Sequence, residues 1–157
     1  MSVFLFRNKR AFSIIEMLTV MGIIVILFSL TVPQLFRLRD RNNLQTATTK
    51  LISLIRQQQL NAMNSPSFYG IYFNQSGYTQ FTGSTYIGTE AANIISTLDY
   101  PLSFSLIDIP NSTLVFASGS GEVVGYDPSH NSIELEQTIY HEKHTILFNS
   151  LGVPIGQ

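Results

Sequence analysis

An uncharged run of 20 residues, 17–36, governs what this chain can fold into. A helix of that length rises about 30 Å, the thickness of a bilayer core. Arg7, Lys9 and Arg10 precede the run, Glu16 stands immediately before it, and Pro33 stands near its far end. A plain membrane anchor needs neither the acid nor the proline. A carboxylate carried into hydrocarbon costs about 2.5–3.5 kcal/mol unless protonated or paired. Pro33 removes one backbone donor and crowds the turn before it, so a kink or local loosening is expected there. Leu35, Phe36 and Leu38 carry the apolar character further, which favours a helix that continues past Val32.

The basic residues before the run favour a cytoplasmic N-terminal side. A secretory signal would be cut after its apolar segment, behind small residues. Thr31-Val32-Pro33-Gln34 is a weak candidate for that, whereas Ala11 lies in front of the segment. Charge is unevenly spread. Over residues 66–157 one base, Lys143, faces eight acids, so this part is near −7 (1 − 8) and poorly suited to nucleic-acid phosphates. There is no cysteine, hence no disulfide and no thiolate chemistry.

Residues 42–64 read as an amphipathic helix, with Leu44, Ala47, Leu51, Leu54, Ile55 and Ala62 at helical spacing. Asn64-Ser65-Pro66 closes it, because the residue before proline resists the helical region. The texture then turns to strands. SFYGIYF and YTQFT flank Asn74-Gln75-Ser76-Gly77, which predicts a hairpin. Residues 83–111 are less clear, although Leu102, Phe104 and Leu106 alternate. TLVFASG, EVVGYD, SIELEQTIY and HTILFNSLGVPIG follow, separated by turn signals at Gly119-Ser120-Gly121 and 127–131. The fold class expected is α+β: a long N-terminal helix, membrane half then amphipathic half, packed on an antiparallel β-sheet head.

Little in the chain invites catalysis. His141-Glu142-Lys143-His144 could suggest a metal, but an offset of three in a strand puts the histidines on opposite faces. No third ligand can be named, so solvated strand-end residues are expected and no metal. Ser118-Gly119-Ser120-Gly121 reads as a tight turn and lacks a nucleophile elbow. His130 falls in a turn. No phosphate-binding loop appears. Neither an enzyme nor a cofactor is expected.

The segment KRAFSIIEMLTVMGIIVIL resembles the class III leader and first residues of type IV pilins and pseudopilins. The resemblance implies cleavage by a prepilin peptidase between Ala11 and Phe12 and N-methylation of Phe12. Glu16 then falls at the family's characteristic glutamate, as the assembly residue. Its carboxylate could pair with the amine of a neighbouring subunit's Phe12, setting axial register while satisfying two costly charges. The usual residue before the cut is glycine, from which Ala11 departs. A proline at the place of Pro33 is common in the family, with the helix often unwound nearby. LISLIRQQQLNAMN, with Arg56 and Ala62, and the ending FNSLGVPIG resemble the H-type minor pseudopilins and related minor pilins. The ending LGVPIGQ holds no acid, so the calcium site of some major pseudopilins is not expected.

The resemblance thus implies a leader over 1–11, a transmembrane and filament-core helix over 12–36, an amphipathic helix over 37–64 and a β-rich extracytoplasmic head over 65–157. It implies a minor pilin or pseudopilin, stored single-pass in the inner membrane with the head outside. Such a subunit is assembled into a type IV pilus or a type II secretion pseudopilus. The partners would be the prepilin peptidase, other pilin or pseudopilin subunits, the inner-membrane assembly platform and the lipid bilayer; nucleic acid is disfavoured. The rival expectation is a bitopic membrane protein with an extracytoplasmic β-rich ligand-binding domain that never polymerises.

Overall fold

The computed structural model describes residues 13–156, apart from the side chains of 30–38 and 155–156. Ala11 and Phe12, the expected processing residues, lie outside the described residues. One helix, α1 (Ile14–Met63), is followed by eight strands: β1 Tyr69–Asn74, β2 Gly77–Thr82, β3 Ile94–Thr97, β4 Leu102–Asp108, β5 Thr113–Phe116, β6 Ser132–Gln137, β7 Glu142–Phe148 and β8 Pro154–Gly156. The chain divides into two compact units, Met1–Leu38 and Arg39–Gln157.

In the first unit the helix begins with the amides of Glu16 and Met17 donating to the Ser13 carbonyl, at 3.0 and 3.2 Å. Helical backbone runs through Pro33 and beyond it. Among the described residues no helix is long and apolar enough to cross a membrane. The described side chains of the apolar run stop at Ser29, short of its far end.

The second unit is α+β, with the helical residues 39–63 packed on antiparallel sheets. There are two sheets where the strand pattern suggested one, ordered β3-β2-β1-β5 and β4-β6-β7-β8. Helix residues Leu44, Thr48, Leu51, Ile55, Gln58 and Ala62, spaced alternately by four and three, are the buried face. They close over the inner faces of both sheets: Ile71, Phe73 and Leu114 on one, Ile133, Leu135 and Ile146 on the other. Phe73 meets Phe104 edge-to-face, with ring centroids 5.5 Å apart, and so joins the two sheets.

The hairpin expected at 74–77 is present, with Asn74 opposite Gly77 and the Ser76 amide donating to the Asn74 carboxamide oxygen at 3.0 Å. The EVVGYD segment departs from expectation. It forms no strand but a bridge from Val123 to Phe116, with the Val124 amide donating to the Val115 carbonyl and the Val123 amide to the Ser150 carbonyl. Gly125, at φ 66, turns the chain away before a ladder can extend. The Ser118–Gly121 turn caps α1: the Gly119 amide donates to the Ala62 carbonyl at 2.9 Å. Gly121, at φ 70, leaves room there for Met63, which a Cβ would meet at 2.5 Å.

Candidate functional site

Three places in the molecule could carry function, and each is built by a different physical constraint. The first is the beginning of α1. Twelve large apolar side chains from Ile14 to Phe28 are 46–81% exposed, on all sides of the helix. Fully burying one such side chain contributes about 1.5–3 kcal/mol, so this stretch forgoes on the order of 10–20 kcal/mol while water covers it. A helix apolar all round belongs in a membrane or a large protein interior. Its hydroxyls suit such surroundings. Thr19 donates to the Ile15 carbonyl and Ser29 to the Ile26 carbonyl, both at 2.8 Å, so neither needs an outside partner. Glu16 differs. It is exposed in the first turn, where the helix dipole favours a negative charge, and no described side chain pairs with it.

The second place is the outer face of the second sheet. Alternation along β6 turns Ile133, Leu135 and Gln137 inward and leaves Glu134 and Glu136 outward. On β7, Lys143 lies directly opposite Glu136. Its ammonium sits 2.7 Å from Glu134 and 3.8 Å from Glu136. The hydrogen bond from Lys143, then that from the Ser105 hydroxyl, holds the Glu134 carboxyl below its usual range. The same contact holds the Lys143 ammonium above its own. Glu136 is held down first by the hydrogen bond from His141 at 2.6 Å. His144 faces the other way and meets the Thr48 hydroxyl at 3.3 Å. Because that hydroxyl already donates to the Leu44 carbonyl, the His144 Nδ1 is the donor between them. The two histidines of the His141–His144 cluster therefore serve separate contacts. Among the described residues no group of three or more acids or histidines could hold a metal ion.

The third place is a cleft of about 200 Å³ in the second unit, lined by residues that follow β4, by β5 and by the 123–131 loop. At its rim His130 Nδ1 stands 2.6 Å from the Asp108 carboxylate. That hydrogen bond, more than the accompanying charge attraction, raises the His130 pKa above its ordinary value. Asn111 and Ser112, in the 3-10 turn Pro110–Ser112, both hold φ at 54. Two successive L-residues in the left-handed region cost on the order of 1 kcal/mol each. The rest of the fold sustains that cost.

Of the residues singled out from sequence, Glu16 and Pro33 lie on α1, in the first unit. Sequence reasoning missed the Asp108–His130 pair, the cleft, and the buried Thr48 and Gln58. Only the heptad spacing of the last two could have marked them. Comparison with family models, with curated proteins and with solved structures returned no match.

Proposed function

We propose that this chain is a minor pilin or pseudopilin, a structural subunit held in the inner membrane by the start of α1 and later packed into a type IV pilus or type II secretion pseudopilus. The observation that carries this reading is the helix over 14–28. It is apolar on every side, its described hydroxyls are satisfied internally, and Glu16 alone is left needing a partner. The leader-like segment before it supplies that partner, because cleavage between Ala11 and Phe12 would create a cationic amine four residues from Glu16. The subunit's chemistry is then one of assembly and not of catalysis. Its partners are the prepilin peptidase, neighbouring subunits, the assembly platform and the bilayer. The acidic head argues against DNA as a ligand.

Mass spectrometry of the protein co-produced with a prepilin peptidase tests the processing step. A mature chain beginning at N-methylated Phe12 is expected, and an intact leader would overturn the reading in favour of a bitopic protein that never polymerises. Glu16→Ala is expected to leave membrane insertion intact and abolish incorporation into filaments. Normal incorporation of that variant would remove Glu16 from its role.

A further inference from the structure

We infer that the cleft of about 200 Å³ behind the 3-10 turn is a binding site for one neutral hexose unit, free or at the end of a glycan. The size comes first. Liquid water occupies about 30 Å³ per molecule, so the cleft holds roughly six or seven waters, or a single small ring in their place. The lining supplies two surfaces of different chemistry. Val123, half-buried, and Val124, exposed, offer apolar contact to the C–H face of a sugar. Around them stand groups that suit hydroxyls: the Asn111 carboxamide, the His130 imidazole and the Asp127 carboxylate.

Those groups are placed in advance. The Tyr126 hydroxyl donates to the Phe148 carbonyl at 3.2 Å, and the Asn131 amide donates both to that hydroxyl, at 3.2 Å, and to the same carbonyl, at 3.0 Å. These bonds lock the wall of the cleft without a ligand. His130 donates through Nδ1 to Asp108, which fixes the ring and leaves Nε2 as the nitrogen without a partner among the described residues. Asn111 has no partner among the described residues, yet it is held at φ 54 on the rim beside Ser112 at the same angle. Strain of this kind concentrates where a backbone must present a group in a set direction. Charge then selects the ligand. Asp108 and Asp127 beside the cleft, within a head near −7 over residues 66–157, disfavour anionic sugars and phosphates.

Ligand-observed saturation-transfer NMR on the full chain tests this, in a zwitterionic detergent so that no glycosidic detergent competes. The probes are methyl glucoside, methyl mannoside and methyl galactoside, with methyl glucuronide as the anionic control. Malto- and mannotetraose report on glycan ends. At least one neutral hexoside is expected to show transfer, with the glucuronide weaker by about tenfold. Asn111→Gly accepts the positive φ without strain and removes the carboxamide, so it should keep the fold, checked by circular dichroism, and lose the signal. His130→Phe should lose it as well. Transfer to the free hexosides alone assigns a free sugar; equal or stronger transfer to a tetrasaccharide's terminal ring assigns a glycan end. Absence of transfer from every neutral probe would overturn the inference. So would undiminished transfer in both variants, or a glucuronide bound as well as its neutral counterpart.

Discussion

Gly70 on β1 offers the sharpest test of how the first sheet is packed. It lies opposite Phe81 on β2, and the Phe81 ring covers it. A Cβ added at Gly70 would stand 2.3 Å from Phe81 Cζ and 2.7 and 2.9 Å from the two ring Cε atoms. Favourable carbon contacts lie near 3.5–4.0 Å, so the ring would have to retreat by about 1 Å or more. It has little space for that. Phe81 is buried, and behind it Tyr86 stands 5.5 Å away, itself stacked on Tyr72 at 4.2 Å. Overpacking of this kind costs about 1–3 kcal/mol. Relief of glycine's entropy in a strand returns roughly 0.5–1 kcal/mol. Gly70 is not at positive φ, so the backbone itself would accept alanine. Gly70→Ala should therefore destabilise the second unit by about 1–2 kcal/mol.

The steric origin is separable by a double-mutant cycle. Phe81→Leu alone should cost about 1–2 kcal/mol through lost packing, since full truncation of a buried Phe costs about 3–5. In that background the clash is gone, so adding Gly70→Ala should cost almost nothing, a coupling of about 1–2 kcal/mol. Urea unfolding of the full chain in micelles, followed by near-ultraviolet circular dichroism of its seven tyrosines, reads all four corners. Additivity within about 0.5 kcal/mol would refute the account of Phe81 as the obstacle.

Ile55→Ala, which opens a cavity between the helix and the sheets, should cost about 3–4 kcal/mol in the same unfolding assay; a loss below about 1 kcal/mol would show that the interface collapses around it. Gln58 is buried and donates to the Gln80 carboxamide oxygen at 2.5 Å, but its own oxygen lacks a partner. Replacing both by leucine should be neutral or stabilising, whereas Gln58→Leu alone should destabilise, because Gln80 would then lose its donor. The depressed carboxyl pKa values of Glu134 and Glu136 contribute stability above the ordinary value of 4.5, lost as pH falls through the lower folded values. The sign reverses for His130, whose raised pKa contributes below 6.5 and is lost as pH rises through the folded value. Urea midpoints against pH should accordingly lose their acid-side fall partly in Lys143→Gln and their alkaline-side fall in Asp108→Asn. Unchanged profiles in both variants would remove these pairs from the stability of the head.

What could be read from the chain tracks the range of the interactions concerned. The helix ending at Met63 and the hairpin at 74–77 depend on neighbours in sequence: Pro66 bars further helix, and Asn74 bonds two residues ahead. The α+β class was legible for the same reason. The split into two sheets was not, because it rests on pairings between strands distant in sequence, β1 with β5 and β4 with β6. Residues 83–93 lack a strand pattern, and Tyr86 among them stacks back on Tyr72, a contact with no local signature. EVVGYD carries a strand composition and still fails to form one, since Gly125 at φ 66 diverts it after a single bridge. Thr48 and Gln58 hid in plain heptad spacing because polar residues at core positions read as solvent-facing. The Asp108–His130 pair unites the end of a strand and a turn 22 residues apart, which no motif describes.

One carboxylate is enough, on the proposed reading, to direct the start of α1 from bilayer to filament. Lipid tails are as apolar as leucine, so moving Ile14 to Phe28 from lipid to a bundle of similarly apolar subunit helices changes little in hydrophobic free energy. The twelve exposed side chains therefore resist water strongly and choose between the two apolar surroundings only weakly. The internally bonded hydroxyls of Thr19 and Ser29 do not choose either, because they carry their partners with them. Glu16 does. In lipid an ionised Glu16 bears a cost of about 2.5–3.5 kcal/mol unless it snorkels or takes a proton. Beside a neighbour's terminal amine that cost is largely removed, and only at one axial offset. Glu16→Gln would keep size and polarity while halting the charge pairing. It should insert at least as readily as the native chain, yet pack without register, so that any filaments containing it diffract without a sharp axial repeat. A native repeat in such filaments would mean that helix packing alone sets the register, and that Glu16 answers to the membrane instead.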